Sequence, residues 1–507
     1  MIITKQIALL VFVCLNSLAF AQVAPPPGHS VAWQNGYVEG FGDGGVAATQ
    51  PAAPSWPADV VFHPDWTYHI APAPDGSDQG GNGSVIKPFA TIDRAIQQLH
   101  NDRQAGQGPK LAEIAYRADG TYTQNKWLAD NDLLIDSYPS TGSGQAPSTG
   151  SGQAPLTGSG QVARPEQRPT ITSTDVPFAW QNVKDVHLQN LRIVGDPNGS
   201  NFGFYVGAGD DVSADYCEFD GFGRFGVCII GTATHVRLYH NYIANSYTAG
   251  TNTESCSGLY TEANAPDVEC NIIYHNGWRA PFDLKNAALV QSMMFRHGWY
   301  ENPGNGASVA GTDKFNIYFR NATTGHQCRV GGSAVLWGVF WDNGNAADVF
   351  TGPGFQHNLG GEIGHCVFFG NLTSDFACWG GGATGESMAD NLHDLLFSGT
   401  STMQLPPAIT IHWSPGNGPV PAGTKATVTN CRGIWRAGGV TLLDGRTATI
   451  TNVHIRKPGP GEHAPSLLDF LGTKDDESSA QLLRTHLHDS KYSAQAIIEW
   501  AARSIPN

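Results

Sequence analysis

Six lysines and arginines, three histidines and three acids fall between residues 275 and 329 of a chain whose net charge is −15. The cations are Arg279, Lys285, Arg296, Lys314, Arg320 and Arg329, the acids Asp283, Glu301 and Asp313, and the histidines His275, His297 and His326. Histidine titrates near neutrality, and the arginine fork binds carboxylates through two parallel hydrogen bonds. These types suit β-elimination on a uronate. That reaction needs a cation on the sugar carboxylate to acidify the C5 proton, a base to take the proton and an acid for the leaving oxygen. In such a scheme Arg329 or Arg296 is the clamp, His297 or His326 the base and Tyr260 the acid. The plainer account is that the charged groups pair with one another in turns.

Other chemistries find less. Glycoside hydrolysis needs two carboxylates facing each other; Asp210 and Asp211 invite that reading, although Asp is common at such a position for turn reasons. Asp210, Asp211 and Asp215 would offer calcium oxygen ligands, but no loop has the spacing of a calcium site. No CxxC pair points to zinc. No metal ligand is assigned, and the cofactor stays undetermined.

What must position these groups is a repeat. An apolar run closed by Asn, Asp or Gly recurs as NLRIVG from Asn190, YCEFDG from Tyr216, NYIANS from Asn241, NIIYHNG from Asn271, SMMFRHG from Ser292 and NIYFRN from Asn316. Fainter copies occur at GVFWDNG, CVFFGN, DLLFSGT, NCRGIW and NVHIRK. A period of 20 to 50 residues built from short β-prone runs and Gly/Asn turns means a solenoid whose coils bury their apolar faces against their neighbours. Steps near 21 to 30 residues hold three short strands and three turns, the coil of a parallel β-helix. The step from Asp394 to Asn430 requires an insertion.

Equivalent positions of successive coils stack about 4.8 Å apart, so each alignment column becomes a line in space. The position after the apolar run reads Gly195, Gly221, Asn245, His275, Arg296, Arg320, Asp342 and Gly370. The next column holds Asn276, His297, Asn321, Asn343 and Asn371, an Asn ladder that His297 interrupts. A further line comes from strands starting near Gly203, Gly226, Gly258, Gly325 and Ala346. Alternation sends Phe204, Val227 and Leu259 inward and leaves Tyr205, Cys228, Tyr260, Glu262, Gln327, Arg329 and Asp348 outward. Glu262, Gln327, Arg320, His275 and Asp348 are the expected substrate-binding residues.

Residues 1–21 read as a cleavable secretory leader, with Lys5, an apolar run from Ile7 to Val13 and Ala19-Phe20-Ala21 before Gln22. A Pro/Gly-rich arm occupies 22–59 and the opening strands with a short amphipathic helix 60–137. A low-complexity insert with a tandem octad spans 138–168, the coils 169–460 and a helical cap packed on the last coils 461–507. No later run approaches the ~18 apolar residues of a membrane span. Eight cysteines remain after the leader; Cys217, Cys366 and Cys431 lie inside repeat phrases and read as buried free thiols. The acidic balance argues against nucleic acid as a partner.

The stretch YHIAPAPDGSDQGG followed by KPFATIDRAI resembles the opening segment of bacterial right-handed parallel β-helix proteins of the pectate-lyase-like superfamily. LAEIAYRADGTY is similar to that superfamily's first strand pair. The tail LLRTHLHDSKYSAQAIIEWAARSI and NIYFRNATTGHQCRVGG resemble a subgroup of secreted β-helix proteins. That subgroup has Ser-His-Gly where this chain has Thr324-Gly325-His326, which puts a carried-over role for His326 in doubt. FDLKN and MMFRHG look like the Lys and Arg-His-Gly of an alginate-lyase family, but Lys285 and Arg296 lie only 11 residues apart, so that mechanism is not transferred. The resemblance implies a substrate groove along one strand face. The expectation is therefore an all-β, right-handed, single-stranded parallel β-helix with an N-terminal capping helix and a C-terminal helical cap, secreted or periplasmic and monomeric. It would act on a polysaccharide, as a lyase of an acidic one. A non-catalytic carbohydrate-binding protein, a glycoside hydrolase or a uronate epimerase are the alternatives.

Overall fold

A segment such as Asn271-Ile272-Ile273-Tyr274-His275-Asn276 is apolar at three successive positions, so as a strand it must be covered on both faces. It forms the strand Ile272–Tyr274 between two left-handed corners, Cys270 (φ 59°) and His275 (φ 50°). Phe315 and Arg320 bracket Ile317–Phe319 in the same way, and Trp337 and Asp342 bracket Val339–Trp341. A left-handed corner at a non-glycine residue costs roughly 1 kcal/mol, and hydrogen bonds between side chains stacked beside the corners offset that cost.

These bonds run along two buried Asn ladders. In one, Asn241 Nδ2 donates to Asn271 Oδ1 and Asn271 Nδ2 to Asn316 Oδ1, each at 3.0 Å. In the other, Asn276, Asn321, Asn343 and Asn371 are joined at 3.1, 2.9 and 3.1 Å. Asn276 thus meets Asn321 directly, and His297 is not a rung. The phrase SMMFRHG is not a coil copy, because one coil runs through Asp267–Glu269, Ile272–Tyr274 and Trp299–Glu301 and leaves Arg296 and His297 in the connection before its last strand. Glycines make room for the second ladder: a Cβ on Gly258 would lie 2.6 Å from Asn276 Nδ2, and one on Gly298 2.8 Å from Asn321 Nδ2.

The computed structural model describes residues 62–506 except 63, 126, 139–167, 200, 249–253, most of 279–294, 303–310, 331, 345–354, 358–360, 372–375, 381–389, 401–406, 414–424, 443–445 and 488. The expected leader, the arm and nearly all of the tandem insert lie outside these residues. Among the described residues the strands form three parallel sheets of 13, 12 and 11 strands and a two-stranded pair, Tyr247–Thr248 with Gly277–Trp278. The first begins at Trp66–Ile70 and ends at Ala448–Thr451, the second runs from Thr121–Thr123 to His454–Arg456, and the third from Trp127–Leu128 to Val440–Leu442. Each coil gives one strand to each sheet, so the chain is a single-stranded parallel β-helix, right-handed as parallel crossovers are. Inward side chains stack coil on coil, as in Tyr318, Phe340, Phe368 and Phe397 with ring centroids 5.0, 4.9 and 5.2 Å apart. Burying each such side chain stabilises the fold by about 2 kcal/mol.

Helix α1, Ile92–Gln104, is capped by Thr91 and buries Ile92, Ala95, Ile96 and Leu99 against the opening strands. At the other terminus, α2 (Leu467–Leu471), α3 (Asp476–Thr485) and α4 (Ala494–Ser504) do not confine themselves to the last coils. They lie along the outer face of the second sheet. Arg484 Nη2 donates to Glu218 at 2.5 Å, Asp476 takes Arg320 Nε at 2.9 Å, Trp500 packs on Phe369, and Arg432 Nη1 donates to Ile505 O at 2.6 Å. This covering explains why the repeated phrase is apolar at every position instead of alternating.

Candidate functional site

With its second sheet covered by helices, the coil offers the first and third sheets to a long ligand. On the third, Ala179, Tyr205, Cys228, Tyr260, Tyr300 and Gln327 are register partners in successive coils. They form the outward line, since their neighbours Phe204, Val227, Leu259, Trp299 and His326 point into the core. Phe202, Phe225, Tyr260 and Tyr300 make an aromatic strip over four coils, with ring centroids 5.9, 5.0 and 5.6 Å apart; Phe225 and Tyr300 are buried in it and Phe202 and Tyr260 are half-buried.

Polar groups edge the strip. Tyr260 Oη donates to Glu262 Oε1 at 2.6 Å and accepts from Asn302 Nδ2 at 3.2 Å. Tyr300 Oη accepts from Arg329 Nη1 at 2.8 Å, and the His297 ring lies 5.0 Å from the Tyr300 ring. Burial, together with the charge and hydrogen bond of Glu262, holds Tyr260 protonated far above the ordinary phenol range. A phenol–carboxylate pair can pass a proton between its members, a guanidinium can hold an anion, and aromatic faces can stack on sugar rings.

The structure gathers Tyr260, Glu262, Gln327, Arg329 and His297 around Tyr300, with His297 behind the line at 1% exposure. It takes the others elsewhere. Arg296 is fully buried, its Nη1 on Gly277 O at 3.1 Å and its backbone carbonyl accepting Thr323 Oγ1 at 2.6 Å, and burial lowers its pKa. His275 and Arg320 are left-handed corners of the second sheet; His275 Nδ1 meets Asn245 Oδ1 at 2.9 Å, while Arg320 ties Asp342 at 2.6 Å and the C-terminal Asp476. Asp348, Arg279, Lys285 and Asp283 lie outside the described residues. Asp210 and Asp211 hold His235 and Arg237 of the next coil, at 2.7 and 3.3 Å.

His326 is an inward side chain. Its ring stacks on Trp299 at 4.0 Å, Nδ1 meets Asp313 Oδ2 at 2.7 Å and Nε2 lies 3.7 Å from Glu301 Oε2. Tyr318 Oη also donates to Asp313, and Cys328 Sγ to Glu301. All of these are sealed in the solenoid interior, where a polymer cannot reach. Tyr300 is the residue that sequence reasoning missed. Gly298-Trp299-Tyr300-Glu301 matches Gly258-Leu259-Tyr260-Thr261, but taking SMMFRHG as a coil phrase hid the match.

No family model matches the chain, and no curated protein does. Among solved structures it is similar to pectate lyase Pel9A, at 13% identity over 82% of this chain and 88% of that one, with a TM-score of 0.39. A rhamnogalacturonan lyase is 10% identical over 81% and 91%, with a TM-score of 0.37. The A-module of the Azotobacter vinelandii mannuronan C-5 epimerase AlgE4 is 11% identical over 74% and 95%, with a TM-score of 0.32. Likeness at this level concerns the coil and not its chemistry. The strand order of the chain itself defines the class, a single-stranded parallel β-helix.

Proposed function

We propose that this protein is secreted, binds an acidic polysaccharide along the outer face of its third sheet and cleaves it by β-elimination beside Tyr260 and Tyr300. The observation that carries the reading is the placement of a phenol–carboxylate pair, Tyr260 and Glu262, one coil from a phenol–guanidinium pair, Tyr300 and Arg329. Arg329 spends one of its five N–H groups on Tyr300 and turns others to the uronate carboxylate, acidifying the C5 proton. Glu262 takes that proton as the C4–O bond breaks and the C4–C5 double bond forms. Tyr260 gives its proton to the leaving oxygen. Once Glu262 is protonated, the charge that held Tyr260 back is gone, and the proton on Glu262 returns to the phenolate along their hydrogen bond. His297 positions Tyr300 from behind.

The test is a screen of the purified protein on alginate, pectate, glycosaminoglycans and neutral glycans. Ultraviolet absorbance of new unsaturated uronate is followed together with reducing ends. Both should rise on an acidic polymer; reducing ends without absorbance mean hydrolysis instead. The continuous aromatic strip favours a second reading, a module that binds glycan without turnover, which predicts retained binding with neither signal.

A further inference from the structure

On the first sheet, well along the chain from the aromatic strip, Glu362 and His365 of one coil meet His393 and Asp394 of the next. His393 Nδ1 and Asp394 Oδ2 are 2.8 Å apart, and His365 Nδ1 and Asp394 Oδ2 are 3.8 Å apart. Around a tetrahedral zinc with ligands at about 2.0–2.1 Å, neighbouring donor atoms stand about 3.3 Å from one another. The two separations bracket that value. On the far side of its ring, His393 Nε2 lies 3.0 Å from Glu362 Oε1. A histidine that ligates through one nitrogen and donates from the other to a carboxylate is the usual outer-shell arrangement of a metal site.

Three further observations aim the donors. His365 is buried, with only 9% of it exposed, and its Nδ1 has no hydrogen-bond partner. Its ring is fixed by stacking on Trp337, with centroids 4.4 Å apart and planes 16° apart. The His393 ring occupies the space above Gly364, where a Cβ would come within 2.3 Å of its Cε1. The left-handed corners at His365 (φ 56°) and Asp394 (φ 54°) stack these side chains one coil apart. One donor atom from each of His365, His393 and Asp394 lies within 4.8 Å of the other two.

We propose that His365, His393 and Asp394 bind a borderline divalent transition metal of the zinc type, with Glu362 as the outer-shell partner of His393. Two imidazoles and one carboxylate select such an ion over calcium or magnesium, which take oxygen ligands. The fourth position is left to water. Because ligands come from two consecutive coils, the ion clips them together, and the site is independent of the polysaccharide face.

Untagged, EDTA-treated protein titrated with zinc chloride in a calorimeter tests this. The expected result is one equivalent bound, a higher melting temperature with zinc, and a visible absorption band when cobalt(II) replaces zinc. His365→Ala should abolish the equivalent. Glu362→Gln, which changes a half-exposed carboxylate and keeps every ligand, should weaken it 10- to 100-fold. Absence of stoichiometric binding by the parent protein overturns the site and leaves the four residues as an ion-paired cluster. An undiminished equivalent in both variants overturns it as well.

Discussion

Tyr260 and Tyr300 are direct register partners in adjacent coils with rings 5.6 Å apart, yet one hydroxyl donates to a carboxylate and the other accepts from a guanidinium. Identical residues stacked in a column normally have equivalent surroundings. Here Glu262, just past the strand of Tyr260, and Arg329, just past the strand one coil beyond that of Tyr300, give the pair opposite electrostatic characters.

Removing the hydroxyl alone separates chemistry from binding. Tyr260→Phe should keep the fold and glycan affinity while lowering turnover by about 100-fold or more, the usual contribution of a positioned acid. Steady-state kinetics on the active polymer would read this as a fall in kcat with KM nearly unchanged. A fall in affinity with turnover intact would assign Tyr260 to binding.

The Asn ladder predicts where the coil is most sensitive. Asn321 donates to Asn343 Oδ1 and Ile273 O and accepts from the backbone and side chain of Asn276. Asn321→Ala orphans several buried groups and leaves a cavity, so it should cost about 3 kcal/mol. Urea denaturation checks it, with Asn190→Ala as a half-buried control.

The C-terminal helices are held at one end by Glu218, a buried carboxylate shared by Arg192 at 3.1 Å and Arg484 at 2.5 Å. Glu218→Gln leaves the guanidinium of Arg484 poorly compensated and should destabilise by about 3 kcal/mol. Limited proteolysis should then clip the segment around α3 before it attacks the coils. Equal protection of that segment in both proteins would count against the tether.

Acidity should act through the interior triad. Burial opposes charge on His326, but its bond to Asp313 and the nearby carboxylate of Glu301 win and raise its pKa. Burial likewise opposes charge on Glu301, and His326, Cys328 and the Gly311 N–H win and lower it. A raised histidine stabilises fully below its unfolded value of about 6.5, and its contribution disappears as pH climbs through the folded value; a lowered carboxylate stabilises above about 4.5 and loses its contribution as pH falls through its folded value. Tm should therefore plateau between roughly pH 4.5 and 6.5 and decline on both sides. Melting curves from pH 4 to 10 with no alkaline decline would contradict this role for His326.

The coil was legible because its period is set by burial and corners, both written in residue type. Left-handed Asn, Asp and Gly mark one corner, and Asn276, Asn321, Asn343 and Asn371 were readable as a ladder from spacing alone. The first ladder, Asn241, Asn271 and Asn316, was equally written, as the opening letter of three of the phrases. Tyr260 and Gln327 could be assigned to the outward line, with Glu262 and Arg329 just past their strands, because alternation sorts inward from outward. His326 and Arg296 were not, because histidine and arginine are expected at surfaces, and only the paired carboxylates Asp313 and Glu301, or the nearby carbonyl of Gly277, make their burial tolerable. The His365, His393 and Asp394 group escaped notice because His365 lies a whole coil before the adjacent pair His393-Asp394 and meets it only through stacking.

The proposed activity rests on Arg329 acidifying a substrate proton beside Tyr260. The most direct test is the rate of unsaturated-uronate absorbance on an acidic polysaccharide for the parent protein and for Arg329→Ala, with Tm measured on both. The expected result is steady absorbance from the parent and at least a 100-fold loss in the variant at unchanged Tm, in the range a lost charged hydrogen bond in the transition state accounts for. Undiminished absorbance from Arg329→Ala, or no absorbance from the parent on any acidic polymer, would contradict the account.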